Sequence, residues 1–232
     1  MTGCDRGRKL DFSFLKQEKI PIIGESELKR SAVAITLTEQ DEVIFEVRSE
    51  KIAHQPGDIC LPGGGVESGE TPQEAAVREL SEELLLDTEQ ISLIAPSSIF
   101  VTGSQEIHCY LCRIRGYDGS FQKEEVAKIL RVPLVFFLTA EPEIHEVVWH
   151  PDMREDFPFE KIHGGRNYGW REHKSRIRFY EYEGHVIWGI TARIMEAFAQ
   201  QVKKQQVKKQ QVKKQQVEKQ QVTEKQQVQQ DR

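Results

Sequence analysis

Apolar and polar residues change rhythm several times along the chain, and each rhythm predicts an element. Ala32 to Leu37 and Val43 to Val47 run apolar or alternate as strands do, with Glu39-Gln40-Asp41 as the turn between them. Ile59 to Leu61 reads as a short strand running into Pro62-Gly63-Gly64-Gly65, a breaker. Ser97 to Thr102, Ile107 to Ile114, Ala127 to Val132, Ile144 to Trp149 and Arg176 to Tyr182 read as further strands, and Pro133 to Leu138 is apolar. Val186 to Val202 has helical periodicity, with Ile187, Ile190, Ile194 and Phe198 at three- and four-residue steps. Residues 30–200 are therefore expected to form one mixed α/β domain behind an N-terminal extension, 1–29.

One helix has a sharply written start. Thr71 is a good N-cap, Pro72 falls at the first helical position, and Glu74 completes a Thr-x-x-Glu capping box. Ala76, Val77, Leu80 and Leu84 then share a face expected to bury against a sheet.

The segment 201–232 differs in kind. It repeats Gln-Val-Lys-Lys-Gln, with valines at 202, 207, 212, 217, 222 and 228. A five-residue step turns a helix by about 140°, so these valines spiral and build no apolar stripe. The expectation is a low-complexity extension, either disordered or a solvated continuation of the last helix. It carries nine Lys/Arg and three Asp/Glu, a net +6, which leaves −11 on residues 1–200. So acidic a domain argues against a nucleic-acid partner, because phosphate backbones favour basic surfaces.

A length of 232 residues fits one large domain, or one domain with an appendage. No apolar run approaches the roughly 20 residues needed to span a bilayer. Met1 to Lys9 is polar and lacks an apolar signal core, so a cytoplasmic location and reduced cysteines are expected. Cys109 and Cys112 form a CxxC, but on a strand residues three apart point to opposite faces, so they read as ordinary strand cysteines and not as a metal site.

The chemistry concentrates in Leu61 to Leu86, LPGGGVESGETPQEAAVRELSEELLL. Glu79, Glu82 and Glu83 share one helical face at i, i+3 and i+4. Like charges at these spacings destabilise a helix by roughly 0.2–0.5 kcal/mol per pair. They also lie in the C-terminal half, where the macrodipole disfavours anions, and nothing basic follows on that face. A hard divalent cation would remove the penalty, since Mg²⁺ prefers carboxylate oxygens. Three glutamates alone would read as a solvated acidic face. Gly64, Glu70 and Arg78-Glu79-Leu80-Ser81-Glu82-Glu83 stand at wider spacings that change that reading.

With those positions the stretch resembles the signature box of the Nudix hydrolases. The resemblance implies an α/β/α sandwich with a mixed central sheet, and a loop–helix–loop that binds divalent metal, Mg²⁺ or Mn²⁺, and a diphosphate. It implies that Glu79 and Glu83 are metal ligands, with the Gly64 carbonyl near the metal, and that Glu82 is a ligand or orients water. It implies that Glu70 and Arg78 pair to hold the loop to the helix. Homodimers are common in the family. Leu85 stands where the family has a glycine cap, so the helix is expected to continue by a residue or two, to about Asp87.

Val47 to Gly64 looks like the element that precedes the box in Nudix coenzyme A pyrophosphatases, with His54 displaced by one place and Asp58 where glutamine is common. Val186 to Ile194 also looks like that subfamily. The resemblance covers residues 30–200 and implies cleavage of coenzyme A to 3′,5′-ADP and 4′-phosphopantetheine. A third phosphate in an acidic domain needs fixed cations. Arg48 is one candidate, and Arg166, in the basic and aromatic segment 161–176, is another. Two rival readings stand beside this one: a Nudix hydrolase of another diphosphate, such as ADP-ribose or a dinucleotide, and a catalytically silent Nudix binding module.

Overall fold

The computed structural model describes residues 22–230. Cys4 and most of the 1–29 segment lie outside the described residues, as do the side chains of Val217, Val222 and Val228. Among the described residues ten strands and three α-helices run in the order β1 (Lys29–Leu37), β2 (Glu42–Arg48), β3 (Ile59–Cys60), β4 (Gly63–Gly65), α1 (Pro72–Glu83), β5 (Ile91–Val101), β6 (Gln105–Ile114), β7 (Val126–Pro133), α2 (Leu134–Thr139), β8 (Glu143–Trp149), β9 (His173–Tyr182), β10 (His185–Trp188) and α3 (Gly189–Gln230).

Seven strands form the central sheet, in the order β3-β2-β1-β6-β5, with β4 also on β1 and β7 also on β2. The β1–β6 pair is parallel and its neighbours are antiparallel, so the sheet is mixed. Alternation along β1 and β2 sends side chains to two cores. On one face Ala32, Ala34 and Ile44 pack beneath α1 through Ala75, Ala76, Leu80 and Leu84. Alanines on the strand let the helix approach closely. On the other face Ile35, Val43 and Phe45 meet Phe137 of α2 and Ile194, Met195 and Phe198 of α3. Phe137 lies 5.7 Å from the Phe45 ring and 5.2 Å from Tyr180. Burying each such side chain contributes about 1.5–3 kcal/mol. Helices on both faces of one mixed sheet give the expected α/β/α sandwich. Cys109 and Cys112 go to opposite cores, as strand alternation requires.

Five expectations are corrected. Gly63 to Gly65, expected to break the chain, form β4, paired antiparallel with β1. Ala75, not Val77, completes the buried face of α1. β5 begins at Ile91 and passes through Pro96. It lies at the edge of the sheet and its register shifts beside the proline, where a missing N–H is tolerated. Val186 to Trp188 are not helical: they form β10, paired with β9 in a second, three-stranded antiparallel sheet, β10-β9-β8. Glu183 and Gly184, at φ 50° and 76°, make the tight hairpin turn, and Gly189, the first residue of α3, turns the chain out of the strand at φ 65°. Finally, α1 stops at Glu83 in spite of Leu85. Leu85 itself takes the left-handed conformation, φ 51°, while the Leu86 N–H and the Leu86 carbonyl bond Ser81. Without a glycine, that conformation is strained by about 1–2 kcal/mol. Leu85 is exposed. Leu85→Gly is therefore expected to raise stability by about 0.5–1 kcal/mol after the added freedom of the unfolded chain is set against it, readable by denaturant titration.

The repeat continues α3 as helix. Packing against the core reaches Val202, whereas Val207 and Val212 are exposed. Deleting residues 203–232 is expected to leave catalysis and cooperative melting unchanged. A large fall in either, followed by kinetics and circular dichroism, would show that the segment docks. Among the described residues no helix is long and apolar enough to cross a membrane.

Candidate active site

The sequence of the loop and α1 dictates how the carboxylates are presented. The capping box forms as expected: Thr71 Oγ1 accepts from the Glu74 N–H at 3.3 Å, and Glu74 Oε2 accepts from the Thr71 N–H at 2.8 Å. With its start fixed, α1 holds Glu79 and Glu83 against β4, and Glu82 lines the same cleft from a more exposed position. The Gly63 N–H donates to Glu83 Oε2 at 2.8 Å. Gly64 lies so close to Glu79 that an added Cβ would fall 2.3 Å from its Oε1.

Arg78 ties loop to helix. Its Nε and Nη2 donate to the two oxygens of Glu70 at 2.9 and 3.1 Å, and Nη2 also reaches the Gly65 carbonyl at 3.0 Å. Its Nη1 meets Glu79 Oε1 at 2.8 Å and Glu82 Oε2 at 3.3 Å. The helix is thus less repulsive than its three glutamates imply, because the offsetting cation precedes them on the chain. The Arg78 hydrogen bond draws the Glu70 carboxyl below the usual range. Burial pushes the Glu79 carboxyl up, against the pull of Arg78. Burial also pushes Glu83 up to about 8, opposed by the Gly63 N–H and reinforced by Glu79 and Glu125.

These groups line a cleft of about 700 Å³ that brings together Arg48, Gly63, Gly64, Glu79, Glu82, Glu83, Gln122 and Glu125. Arg48 stands at the end of β2, its Nε donating to the His54 carbonyl at 3.1 Å. Two acids had no signal in the spacing. Glu125 precedes β7, and its carbonyl accepts from the Ser49 N–H at 2.7 Å. Glu46 lies on β2 among the residues covered by α1, fully buried, with Oε1 unpartnered. Burial and then Glu83 hold its carboxyl well above the usual range.

Arg166 does not join them. It lies between β8 and β9, exposed, with its guanidinium 4.5 Å from the Phe159 ring. It lines neither this cleft nor the cavity next to it.

The donor set fits a hard cation. Glu79, Glu82, Glu83 and Glu125 offer only oxygens, and an unpartnered buried carboxyl oxygen is what a missing positive charge leaves behind. Among the described residues no three side chains converge into a ready-made cage. Mg²⁺, which usually keeps several waters, does not require one.

A family model of the NUDIX domain matches residues 28–154. The chain is 29% identical over 186 residues to Nudix hydrolase 22, chloroplastic, of Arabidopsis thaliana, covering 72% of this chain and 53% of that protein. It is 31% identical over 102 residues to the peroxisomal coenzyme A diphosphatase NUDT7 of Mus musculus, covering 41% of this chain and 42% of that protein. It is 27% identical over 180 residues to the uncharacterized Nudix hydrolase NudL of an Enterobacter species, covering 75% and 83%. The matches to the first two relatives span about half of their length. With the domain match lying over more than half of its 232 residues and over the whole loop–helix site, the chain belongs to the Nudix family.

Proposed function

We propose that the protein hydrolyses the diphosphate of coenzyme A or its thioesters to 3′,5′-ADP and 4′-phosphopantetheine, with Mg²⁺ or Mn²⁺. One observation carries the reaction class: a fixed guanidinium, Arg48, shares a cleft with the carboxylates of α1. Carboxylates alone repel a diphosphate, and an arginine alone binds one without cleaving it. Together they suit a substrate whose charge is met from both sides. The likeness of Val47 to Gly64 and Val186 to Ile194 to coenzyme A pyrophosphatases, and the mouse coenzyme A diphosphatase among the relatives, support the substrate.

In this reading Glu79, Glu83 and the Gly64 carbonyl hold the metal. When bound, it neutralises charge on the phosphate oxygens and lowers the pKa of the attacking water. Gly63 fixes the Glu83 carboxylate, and Arg78 fixes Glu79 while binding the loop to the helix. Arg48 grips the diphosphate. Glu82, the exposed member of the three, takes the proton of the attacking water.

Product analysis across coenzyme A, ADP-ribose, reduced NAD and diadenosine polyphosphates with Mg²⁺ tests the reading. Coenzyme A is expected to give the highest catalytic efficiency. It is also expected to exceed its 3′-dephosphorylated form by about one to two orders of magnitude, since charge-assisted bonds to a third phosphate contribute roughly 1.5–3 kcal/mol. Arg48→Ala should lower turnover of both. Arg166→Ala, outside the cleft, should alter neither. Equal efficiency on the two forms in the wild type removes the argument from the third phosphate.

A further inference from the structure

A second cavity, of about 340 Å³, opens beside the catalytic cleft, and Arg48 lines both. It sits where the central sheet meets the small one, between the ends of β2, β5, β8 and β10 and the first turn of α3. Its chemistry differs from that of the acidic cleft. Three aromatic rings, Phe100, Trp149 and Trp188, share the wall with three arginines, Arg48, Arg176 and Arg193.

Both indoles are held in place and remain open. Trp149 Nε1 donates to Ser175 Oγ at 2.8 Å, yet the residue is 55% exposed. Trp188 stacks on Phe179 at 5.9 Å and 8°, with its Nε1 3.4 Å from Asp58 Oδ1, and is 39% exposed. Exposed indoles in a concave wall are apolar area lacking a cover. The arginines pair with no carboxylate among the described residues, although Arg48 Nε donates to the His54 carbonyl. Arg193 stands 5.0 Å over the Phe100 ring. Among the described residues none of the three forms an ion pair, although the domain is strongly acidic and five of the nine other described arginines do. Asp58, the acid in this wall, is bonded to Trp188.

Flat aromatic faces beside unpaired guanidinium groups suit one ligand chemistry: a heterocyclic base that stacks, carrying a phosphomonoester that arginines grip bidentately. We infer that this cavity is the nucleoside subsite. The base stacks on Trp149 and Trp188, the extra phosphate of the nucleoside half meets Arg176 and Arg193, and Arg48 joins the subsite to the diphosphate cleft. The inference deepens the coenzyme A reading and rests on it for the identity of that phosphate. It leaves the pantetheine half outside the cavity.

The test uses the full chain without metal, titrated with adenosine 3′,5′-bisphosphate, adenosine 5′-monophosphate and 4′-phosphopantetheine, followed by tryptophan fluorescence and calorimetry. The bisphosphate is expected to quench fluorescence and to bind roughly tenfold or more tighter than the monophosphate. Arg176→Ala and Arg193→Ala should each bring the two affinities together, and Trp149→Phe should remove much of the quench. Both arginines are exposed, so melting curves should match the wild type. Bisphosphate affinity indifferent to both arginine substitutions, or phosphopantetheine binding that depends on them, overturns the subsite. If the wild type still cleaves coenzyme A in that case, the substrate reading survives alone. Arginine-dependent bisphosphate binding by a chain that cleaves only other diphosphates supports the subsite and overturns the substrate reading.

Discussion

Glu83→Gln is expected to lower turnover at saturating Mg²⁺ by at least about a thousandfold, equivalent to about 4 kcal/mol of lost transition-state stabilisation, while the fold persists. Glutamine keeps the shape and can still meet the Gly63 N–H through its carbonyl, but it lacks the charge that a divalent ion needs. Turnover within about threefold of wild type would remove Glu83 from the site. The same substitution has a signature without metal. Burial raises the folded-state value of Glu83 from the ordinary 4.5 to about 8, so between these values the folded state binds more protons than the unfolded one. The stabilisation tied to that proton is fully present below about pH 4.5 and is lost as pH rises through about 8. Metal-free wild type should therefore melt at progressively lower temperature from pH 5 to 8. The variant, with no proton to lose there, should show a flatter profile, with a residual slope from Glu46, whose carboxyl burial also raises. Mg²⁺ competes with the proton, so it should raise the melting temperature of the wild type more at pH 8 than at pH 6.

Gly63→Ala is expected to be the most damaging change in the glycine run, and damaging to the fold before the chemistry. At φ 151° and paired to Val33 of β1, an added Cβ would lie 2.2 Å from the Ala32 carbonyl oxygen and 2.7 Å from Val33 Cα. Both are backbone atoms of a central strand and cannot step aside. A loss of about 3 kcal/mol or more follows, with a fall in Tm of about 10 °C. Its neighbours separate the effects. At Gly64 the obstructing atoms belong to the Glu79 carboxylate, so alanine there should spare most of the stability and lower activity by displacing a ligand. At Gly65 nothing lies within 4 Å, and alanine should change stability by less than about 0.5 kcal/mol. Thermal melts of the three variants beside their turnover decide the matter. A Gly63→Ala chain that melts like wild type would mean that β4 does not pack on β1 as described.

What could be read before the structure was whatever is written locally. The capping box at Thr71 and the glutamate cluster depend on spacings within one helix and appear as expected, and the buried face of α1 differs only in taking Ala75 for Val77. Residues brought in by tertiary pairing left no such trace. Glu125 and Gln122 reach the cleft only because β7 pairs with β2, and no spacing links them to α1. Glu46 looks like the polar side of an alternating strand, but that side is covered by α1. β10 was hidden for another reason. Val186, Ile187 and Ile190 mimic the three- and four-residue steps of the helix that follows, and only Glu183-Gly184 carries a turn signal for the hairpin. Arg166 illustrates the converse: a basic, aromatic loop looks suited to a nucleotide, yet its arginine lines neither the cleft nor the cavity beside it.

The parallel pairing of β1 with β6 also governs how the chain comes to fold. Lys29 pairs with Gln105, so the two strands are separated by 76 residues, whereas β2 follows β1 through a short hairpin. The hairpin can close in microseconds, but the opposite edge of β1 is not fully paired until Arg113 has been made. At about 5–20 residues per second, that edge stays open for roughly 4–15 s of synthesis after Leu37 emerges. An unpaired strand edge bearing Val33, Ile35 and Leu37 is a template for pairing with other chains. Aggregation of this protein should therefore arise during synthesis or refolding, and substitutions that weaken β6 should lower the soluble yield more than they lower the stability of chains that have already folded.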